Sequence, residues 1–395
     1  MWHFVSPDIV FGENSLTYLD DIGIKRALVV TDRNLVELGL VEGITDQLAK
    51  AGAAYLVFEE VEPDPTVLAV EKGKGVALDF QPDWVLGLGG GSAMDAAKAI
   101  WVLYERPDLI PAGINPFINL GLRQKSRLIT IPTTSGTGAE VTWAIVLTDP
   151  ESSRKMGLGN RENAADLAIV DPALAAGMPP RLTADTGLDA LTHAVEGFIC
   201  TWHTDITDGL CLNAAREVFH HLPKAYEASQ ADNPLQEEYL AARERMHNAA
   251  TCAGLGFGNA MASLAHAMGH VLGSVFHIPH GRAVGICLPY TIEFAARGDD
   301  PSRIAELSQI LGIKKGSSDP DRGLAAALRG LSREVENPLS LAELGLEEDS
   351  FQAQLEKLVD DAFNDTQIIT APRAPSYDEL EKLFLSAFHG QPVDY

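Results

Sequence analysis

The segment DWVLGLGGG, Asp83 to Gly91, running on into SAMDAAKAIWVLY, Ser92 to Tyr104, decides the fold. Its first half is a short apolar run of the kind that fills a strand buried on both faces. The glycines Gly87, Gly89, Gly90 and Gly91 then interrupt the run, and Ala93 to Tyr104 resumes with helical periodicity. A strand that passes through a glycine turn into a helix opens a βα unit. Bare glycines let phosphate oxygens approach the backbone, and the helix N-terminus favours their charge. The pattern is G-x-G-x-x-S, ending on Ser92 and following a third strand, so it departs from the first-strand dinucleotide fingerprint. Read alone it is equally a tight structural turn. Asp95 is expected in the first turn of the helix, where a carboxylate suits the dipole.

The same alternation extends in both directions. KRALVVTD (Lys25–Asp32), AAYLVFEEV (Ala53–Val61) and LAIVDPAL (Leu167–Leu174) read as strands, as does the alternating N-terminus MWHFVSPDIVFG. The turn EPDPT (Glu62–Thr66) precedes a helix through Lys74. RLITIPTTSGTGAEVT (Arg127–Thr142) adds a strand and a second loop, where Thr133, Thr134, Ser135 and Thr137 offer hydroxyls beside flexible backbone. That loop suits a pyrophosphate, or a Ser/Thr-capped helix start near Glu140. Asp32, at the end of the first strand, can accept from ribose hydroxyls and repel a 2′-phosphate, favouring NAD over NADP; its alternative role is a helix N-cap. Apolar strands separated by helices predict a parallel, Rossmann-like α/β domain over residues 1–183. After Met178-Pro179-Pro180 nearly everything is helical, so residues 184–395 are expected to form an all-α domain.

A chain of 395 residues has room for two substantial cores. No apolar run of about 20 residues is present, so no membrane span is expected. The N-terminus lacks a basic segment followed by an apolar one, so no signal peptide is expected. Cys200, Cys211, Cys252 and Cys287 form no C-x-x-C pair and read as reduced cysteines of a cytoplasmic protein. The formal charge of −25 repels phosphate backbones and anionic lipid, arguing against nucleic acid and membrane partners.

Nine of the 11 histidines fall between His193 and His280. Asp189 and His193 are four apart in GLDALTHAVEGF, and His266 and His270 are four apart in AHAMGHVLGSVFHIPHG, so each pair shares a helix face. Pro279 is expected to end the second helix, leaving His277 and His280 on the turn after it. Imidazoles and one carboxylate without thiolate suit Fe²⁺ or Zn²⁺ and do not exclude Mn²⁺, Co²⁺ or Ni²⁺. Spacing alone leaves open which of His266, His270, His277 and His280 bind. His203 and His247 lack a spaced partner, and the adjacent His220 and His221 point to different sides of a helix.

With these motifs assembled, the chain resembles the iron-containing (group III) alcohol dehydrogenase family from about Val5 to Gly390. The resemblance is carried by GGGSAMDAAKAI, IPTTSGTGAEVT, GLDALTHAVEG and HAMGHVLGSVFHIPHG, in family order. It implies a dehydroquinate synthase-like architecture with the active site in a cleft between the domains. It implies Asp189, His193, His266 and His280 as metal ligands, and His270 as the motif histidine beside the substrate. It implies cofactor contacts from Asp32, Asp64, Gly90, Gly91, Ser92, Asp95, Thr133, Thr134, Thr137, Val146 and Lys155. Trp143 and Phe257 fall at positions lining the family's substrate pocket; His277 matches no family role and is read as lining the pocket or standing behind the ligands. Two departures stand out: Asp64-Pro65 where the family often has Asn-Pro, and NDTQIITAPR (Asn364–Arg373) without the usual Asn before Pro-Arg.

The activity so implied is metal-dependent, NAD-linked interconversion of a small primary alcohol or diol with its aldehyde, in a homodimer or higher homo-oligomer. His270 is the candidate to relay the alcohol proton, since an imidazole titrates near neutrality. Rival reactions on the same fold are those of glycerol dehydrogenase, maleylacetate reductase, a dehydroquinate-synthase-like lyase and a hydroxyacid–oxoacid transhydrogenase. The lyase would call for more Lys and Arg around its pocket than these motifs provide.

Overall fold

The apolar runs of the first half line up as one parallel sheet in the computed structural model, which describes residues 3–149, 154–231, 236–313 and 320–395. The chain separates into two compact units, residues 1–177 and 178–395. In chain order the first holds β1 (Asp8–Phe11), β2 (Arg26–Val30), α1 (Arg33–Glu37), α2 (Leu40–Lys50), β3 (Ala54–Phe58), α3 (Val67–Phe80), β4 (Trp84–Gly89), α4 (Gly91–Glu105), β5 (Arg127–Pro132), β6 (Ala144–Asp149), β7 (Arg154–Gly159) and β8 (Leu167–Val170).

Six strands form the sheet in the order β1-β8-β5-β4-β2-β3. All neighbours are parallel, with β2 and β4 in register from Ala27↔Trp84 to Val30↔Gly87. The strand period of two divides the core. Leu28 and Val30 pack with Val70, Ile100 and Trp101 on one face, while Ala27 and Val29 pack with Val41, Ile44 and Leu48 on the other. Each Val, Leu or Ile among them contributes about 1.5–3 kcal/mol by leaving water. Helix α4 is buried from Ala93 to Glu105 apart from Asp95, which explains its almost uninterrupted apolar sequence.

Several elements differ from the sequence expectation. The N-terminal strand is confined to Asp8–Phe11, at the sheet edge, and Trp2 lies outside the described residues. The first helical run breaks at Gly39, in left-handed conformation, and α3 continues past Lys74 to Phe80. The stretch from Thr133 to Trp143 holds no helix. It leads into an antiparallel hairpin, β6–β7, that the sequence reading did not anticipate.

The second unit is helical: α5 (Pro180–Ile199), α6 (Asp205–Gln230), α7 (Glu237–Asn259), α8 (Leu264–Phe276), α9 (His280–Ala295), α10 (Ser302–Ile310), α11 (Pro320–Glu334), α12 (Glu348–Phe363) and α13 (Tyr377–His389). Pro180 occupies the first position of α5, where its missing N–H costs nothing. From Thr183 to Ile199 all but one residue of α5 is buried, so this helix is the unit's axis. The Arg282 guanidinium grips the Asp185 carboxylate and ties α9 to α5, and Arg329 does the same to Glu293 between α11 and α9. Among the described residues no helix is long and apolar enough to cross a membrane.

Candidate metal centre and cofactor loops

Helix geometry brings the first pair together: Asp189 and His193 lie one turn apart on α5, with His193 Nδ1 3.7 Å from Asp189 Oδ1. Helix α8 contributes His266, whose Nε2 is 3.8 Å from the same oxygen. His280 contributes a third imidazole, its Nε2 3.5 Å away. It does so from the first residue of α9, not from the expected turn. Helix α8 ends at Phe276 with His277 as its C-cap and Pro279 is the N-cap of α9, so only residues 277–279 separate the two helices. His277 caps α8 in the left-handed region at φ 55°, which histidine tolerates better than most residues, and is exposed there.

One ligand atom from each of Asp189, His193, His266 and His280 lies within 4.8 Å of every other. Four donors about 2.1 Å from a shared ion at tetrahedral angles would stand about 3.4 Å apart, so these separations suit a divalent cation. The buried Asp189 Oδ1 and His266 Nε2 find no hydrogen-bond partner, a cost that a bound ion would remove. Three of the four residues are buried, whereas the His280 side chain is 34% exposed, so the cluster opens on that side. His193 lies between two flat neighbours, stacked on Phe257 at 3.9 Å and on His266 at 4.4 Å.

His270 is not among the four. It stacks on His280 with centroids 5.4 Å apart, and its Nδ1 is 2.8 Å from Asp365 Oδ2. His266 is held in the same way by Glu196, with Nδ1 2.6 Å from Oε2. Burial alone would lower the His266 pKa, but the Glu196 and Asp189 carboxylates more than reverse this and raise it to about 9. Burial pushes His280 well below its ordinary value, with its neighbouring imidazoles acting in the same direction. Glu196 and Asp365 were both missed from sequence. Glu196 had a visible signal, three residues after His193 on the ligand-bearing face; Asp365, remote in sequence, had none.

In the first unit the two loops meet. A Cβ on Gly90 would lie 3.4 Å from the Thr134 side chain, and one on Gly91 3.1 Å from that of Thr137. Gly89 has φ 147° and a Cβ there would fall 2.6 Å from Ala93, so a side chain is excluded twice over. Thr133 is locked to the glycine loop through its N–H to Gly89 O at 3.0 Å. Ser92 sits at the second position of α4, half-buried beside these glycines. The buried Thr134 hydroxyl has no hydrogen-bond partner.

Asp32 is indeed the N-cap of α1, with Oδ1 accepting from Leu35 N at 3.1 Å. Its Oδ2 remains beside the glycine turn, 3.8 Å from where a Gly89 Cβ would lie. The N-cap role and the ribose role are therefore compatible. Asp95 corrects an expectation: it lies beyond the first turn of α4 and is turned into the protein. Its carboxylate accepts from Val146 N at 2.9 Å and pairs with the fully buried Lys98 at 3.4 Å. Burial raises the Asp95 pKa and lowers that of Lys98, each opposed by its partner. Lys98 also donates to Ala144 O at 2.9 Å, so the pair bolts β6 to α4.

Asp64, in left-handed conformation at φ 56°, forms an ion pair with Lys155 at 2.6 Å. Thr148 N donates to Pro65 O at 2.8 Å, joining the same loop to the hairpin. The Val146 side chain is exposed and Trp143 packs against Gly159. Trp143 belongs to the first unit and Phe257 to the second.

Comparison with known proteins agrees in both halves. Residues 6–172 match the family described as iron-containing alcohol dehydrogenase, and residues 183–388 its C-terminal family. The chain is 37% identical to an NADPH-dependent butanol dehydrogenase of Clostridium saccharobutylicum, covering 100% of both. It is 38% identical to the bifunctional aldehyde-alcohol dehydrogenase of Escherichia coli, spanning 99% of this chain but only 46% of that longer protein. Among solved structures it superposes on a 1,3-propanediol oxidoreductase with TM-score 0.90 and 31% identity, covering 98% of this chain and 100% of the other.

The backbone at Gly281 yields a first prediction. A Cβ there would sit 2.0 Å from Asp185 O, so Gly281→Ala must force α9 away from α5. The expected result is a loss of about 1–3 kcal/mol of stability and a sharp fall in metal content. Full metal content in a normally stable variant would refute the geometry. A second prediction concerns protons. Without an ion, His266 holds its second proton below about pH 9. Metal uptake at pH 7 should therefore release about one proton, declining well above pH 9, as measured by calorimetry in buffers of different ionisation enthalpy.

Proposed function

The chain belongs to the iron-containing alcohol dehydrogenase family, and we propose that it transfers hydride reversibly between a small primary alcohol or diol and NAD. The observation that carries this reading is the convergence of Asp189, His193, His266 and His280 on one point. The donor set, one carboxylate and three imidazoles, suits Fe²⁺, in keeping with the family, with Zn²⁺ as the alternative. An ion held there would supply a Lewis acid that lowers the alcohol's pKa and polarises the carbonyl in the reverse direction. The nicotinamide would accept the hydride, and the chain supplies distance and orientation. The named relatives are alcohol dehydrogenases and an oxidoreductase, so the rival reactions gain no support.

Each unit contributes one half of the work. The loops at Gly90–Ser92 and Thr133–Thr137 would cradle the pyrophosphate, using backbone N–H groups and the start of α4. Asp32 Oδ2 would accept from a ribose hydroxyl and repel a 2′-phosphate, which supports NAD although one relative is NADPH-dependent. Lys155 and Asp64 would flank the nicotinamide side as an ion pair. Asp365 accepts at His270 Nδ1, leaving Nε2 as the nitrogen to take the hydroxyl proton. Phe257 and Trp143 would form apolar walls.

Four cysteines without disulfides support a reducing, cytoplasmic setting. The position of β1 at the sheet edge, with Phe11 exposed, supports pairing with a second copy in a homodimer.

The test is direct. Anaerobically prepared protein should form NADH from primary alcohols or diols, and removal of the metal by chelation should abolish this. His266→Ala and His280→Ala should lose metal and activity together. Alcohol oxidation at the normal rate by fully demetallated protein would overturn the reading. For cofactor choice, Asp32→Gly should lower the preference for NAD by roughly tenfold, equivalent to about 1.4 kcal/mol; unchanged kinetics with both cofactors would reject the role of Asp32.

A further inference from the structure

Helix α5 supplies more than two ligands. Glu196 lies seven residues after Asp189 and three after His193, on the same face, and is 1% exposed. Its carboxylate reaches the start of α8. Oε2 accepts from Ser263 N at 2.8 Å and His266 N at 3.4 Å, and Oε1 accepts from Ala265 N at 2.5 Å. The fourth contact is His266 Nδ1 at 2.6 Å from Oε2. Ser263 occupies the N-cap position of α8, yet its side chain makes no cap hydrogen bond. A carboxylate from another helix has taken over that task, and the same group holds a ligand's imidazole.

We propose that Glu196 is a positioning residue that fixes His266 as an Nε2 ligand and sets the affinity of the metal centre. Three features support this. A carboxylate is an acceptor, so Nδ1 keeps its proton and Nε2, which faces Asp189 in the cluster with His193 and His280, is the nitrogen left to bind a metal. A negative partner on Nδ1 raises the donor strength of Nε2. Charge closes the argument: Asp189 and Glu196 together balance a divalent ion, whereas Asp189 alone would leave a buried net charge of +1. Capping α8 requires only the backbone contacts; the Nδ1 contact is the part that acts on the metal.

This inference rests on the metal-centre reading, and the experiment separates the two. The full chain, stripped of metal, is titrated with Co²⁺ against a competing chelator. Glu196→Gln keeps the shape of the side chain but removes its charge. It should weaken Co²⁺ binding by about 10–100-fold and shift the visible absorption of the bound ion. A purely structural role would lower thermal stability and leave the absorption of bound Co²⁺ unmoved. Equal affinity and an unchanged spectrum in Glu196→Gln would overturn the inference alone; failure of the unaltered chain to bind Co²⁺ would overturn both. Should the variant not fold, nitrogen-15 spectra of the unaltered Zn²⁺-loaded protein decide. His266 is expected to show a protonated Nδ1 and a metal-bound Nε2, and ligation through Nδ1 would refute the proposal.

Discussion

A single buried oxygen, Asp189 Oδ1, is the point to which the chemistry of the helical unit is referred. Three imidazole nitrogens from three helices stand 3.5–3.8 Å from it. A carboxylate oxygen so placed without a hydrogen-bond partner is expensive to bury. A cation at the centre reverses the balance, because each donor then faces an opposite charge in a poorly screened interior. Packing holds the donors in place for this. Gly281 admits the backbone of Asp185, and the Arg282–Asp185 ion pair clamps the same two helices beside His280.

The arrangement extends outward through carboxylates. His266 and His270 are neighbours on one face of α8, and each has its Nδ1 engaged by a carboxylate from elsewhere, Glu196 on α5 and Asp365 after α12. One imidazole is thereby aimed at the cluster and the other is fixed beside it, stacked on His280. Two histidines with the same local geometry thus take different roles because of where their helix positions fall relative to Asp189.

Much of this was legible in the chain because helix and strand periods are local. Asp189 and His193 had to share a face once GLDALTHAVEGF was helical, and the buried strands announced themselves as unbroken apolar runs. What local period cannot supply is the partner across space. His280 was placed on a turn because Pro279 ends a helix; the same proline also precedes one, and the apolar run after Gly281 was the overlooked sign. Asp95 was read as a first-turn carboxylate of the phosphate loop, yet it is spent on Lys98 and Val146 N from a hairpin that had no clear signature. Asp32 was read as a ribose acceptor or an N-cap, and its two oxygens are divided between the glycine turn and α1.

The cofactor side poses an electrostatic problem, since a chain of net charge −25 must attract an anionic dinucleotide. Long-range steering works against it, because the mean field of the protein repels phosphate. The cation assigned beside the ligand, Lys155, is already engaged by Asp64, which stands where relatives of this family often carry a neutral asparagine. Lys98, one turn along α4, is buried and committed to Asp95 and Ala144 O. On the proposed reading, attraction would come from short-range, uncharged donors: the amides of the glycine turn, the threonine hydroxyls pressed against it, and the dipole of α4. Such donors act over a few ångströms and are screened little by salt once the ligand has displaced water, whereas paired surface lysines are screened strongly. The two loops approach closely, Gly90 against Thr134 and Gly91 against Thr137, so the proposed cradle is preformed in the fold.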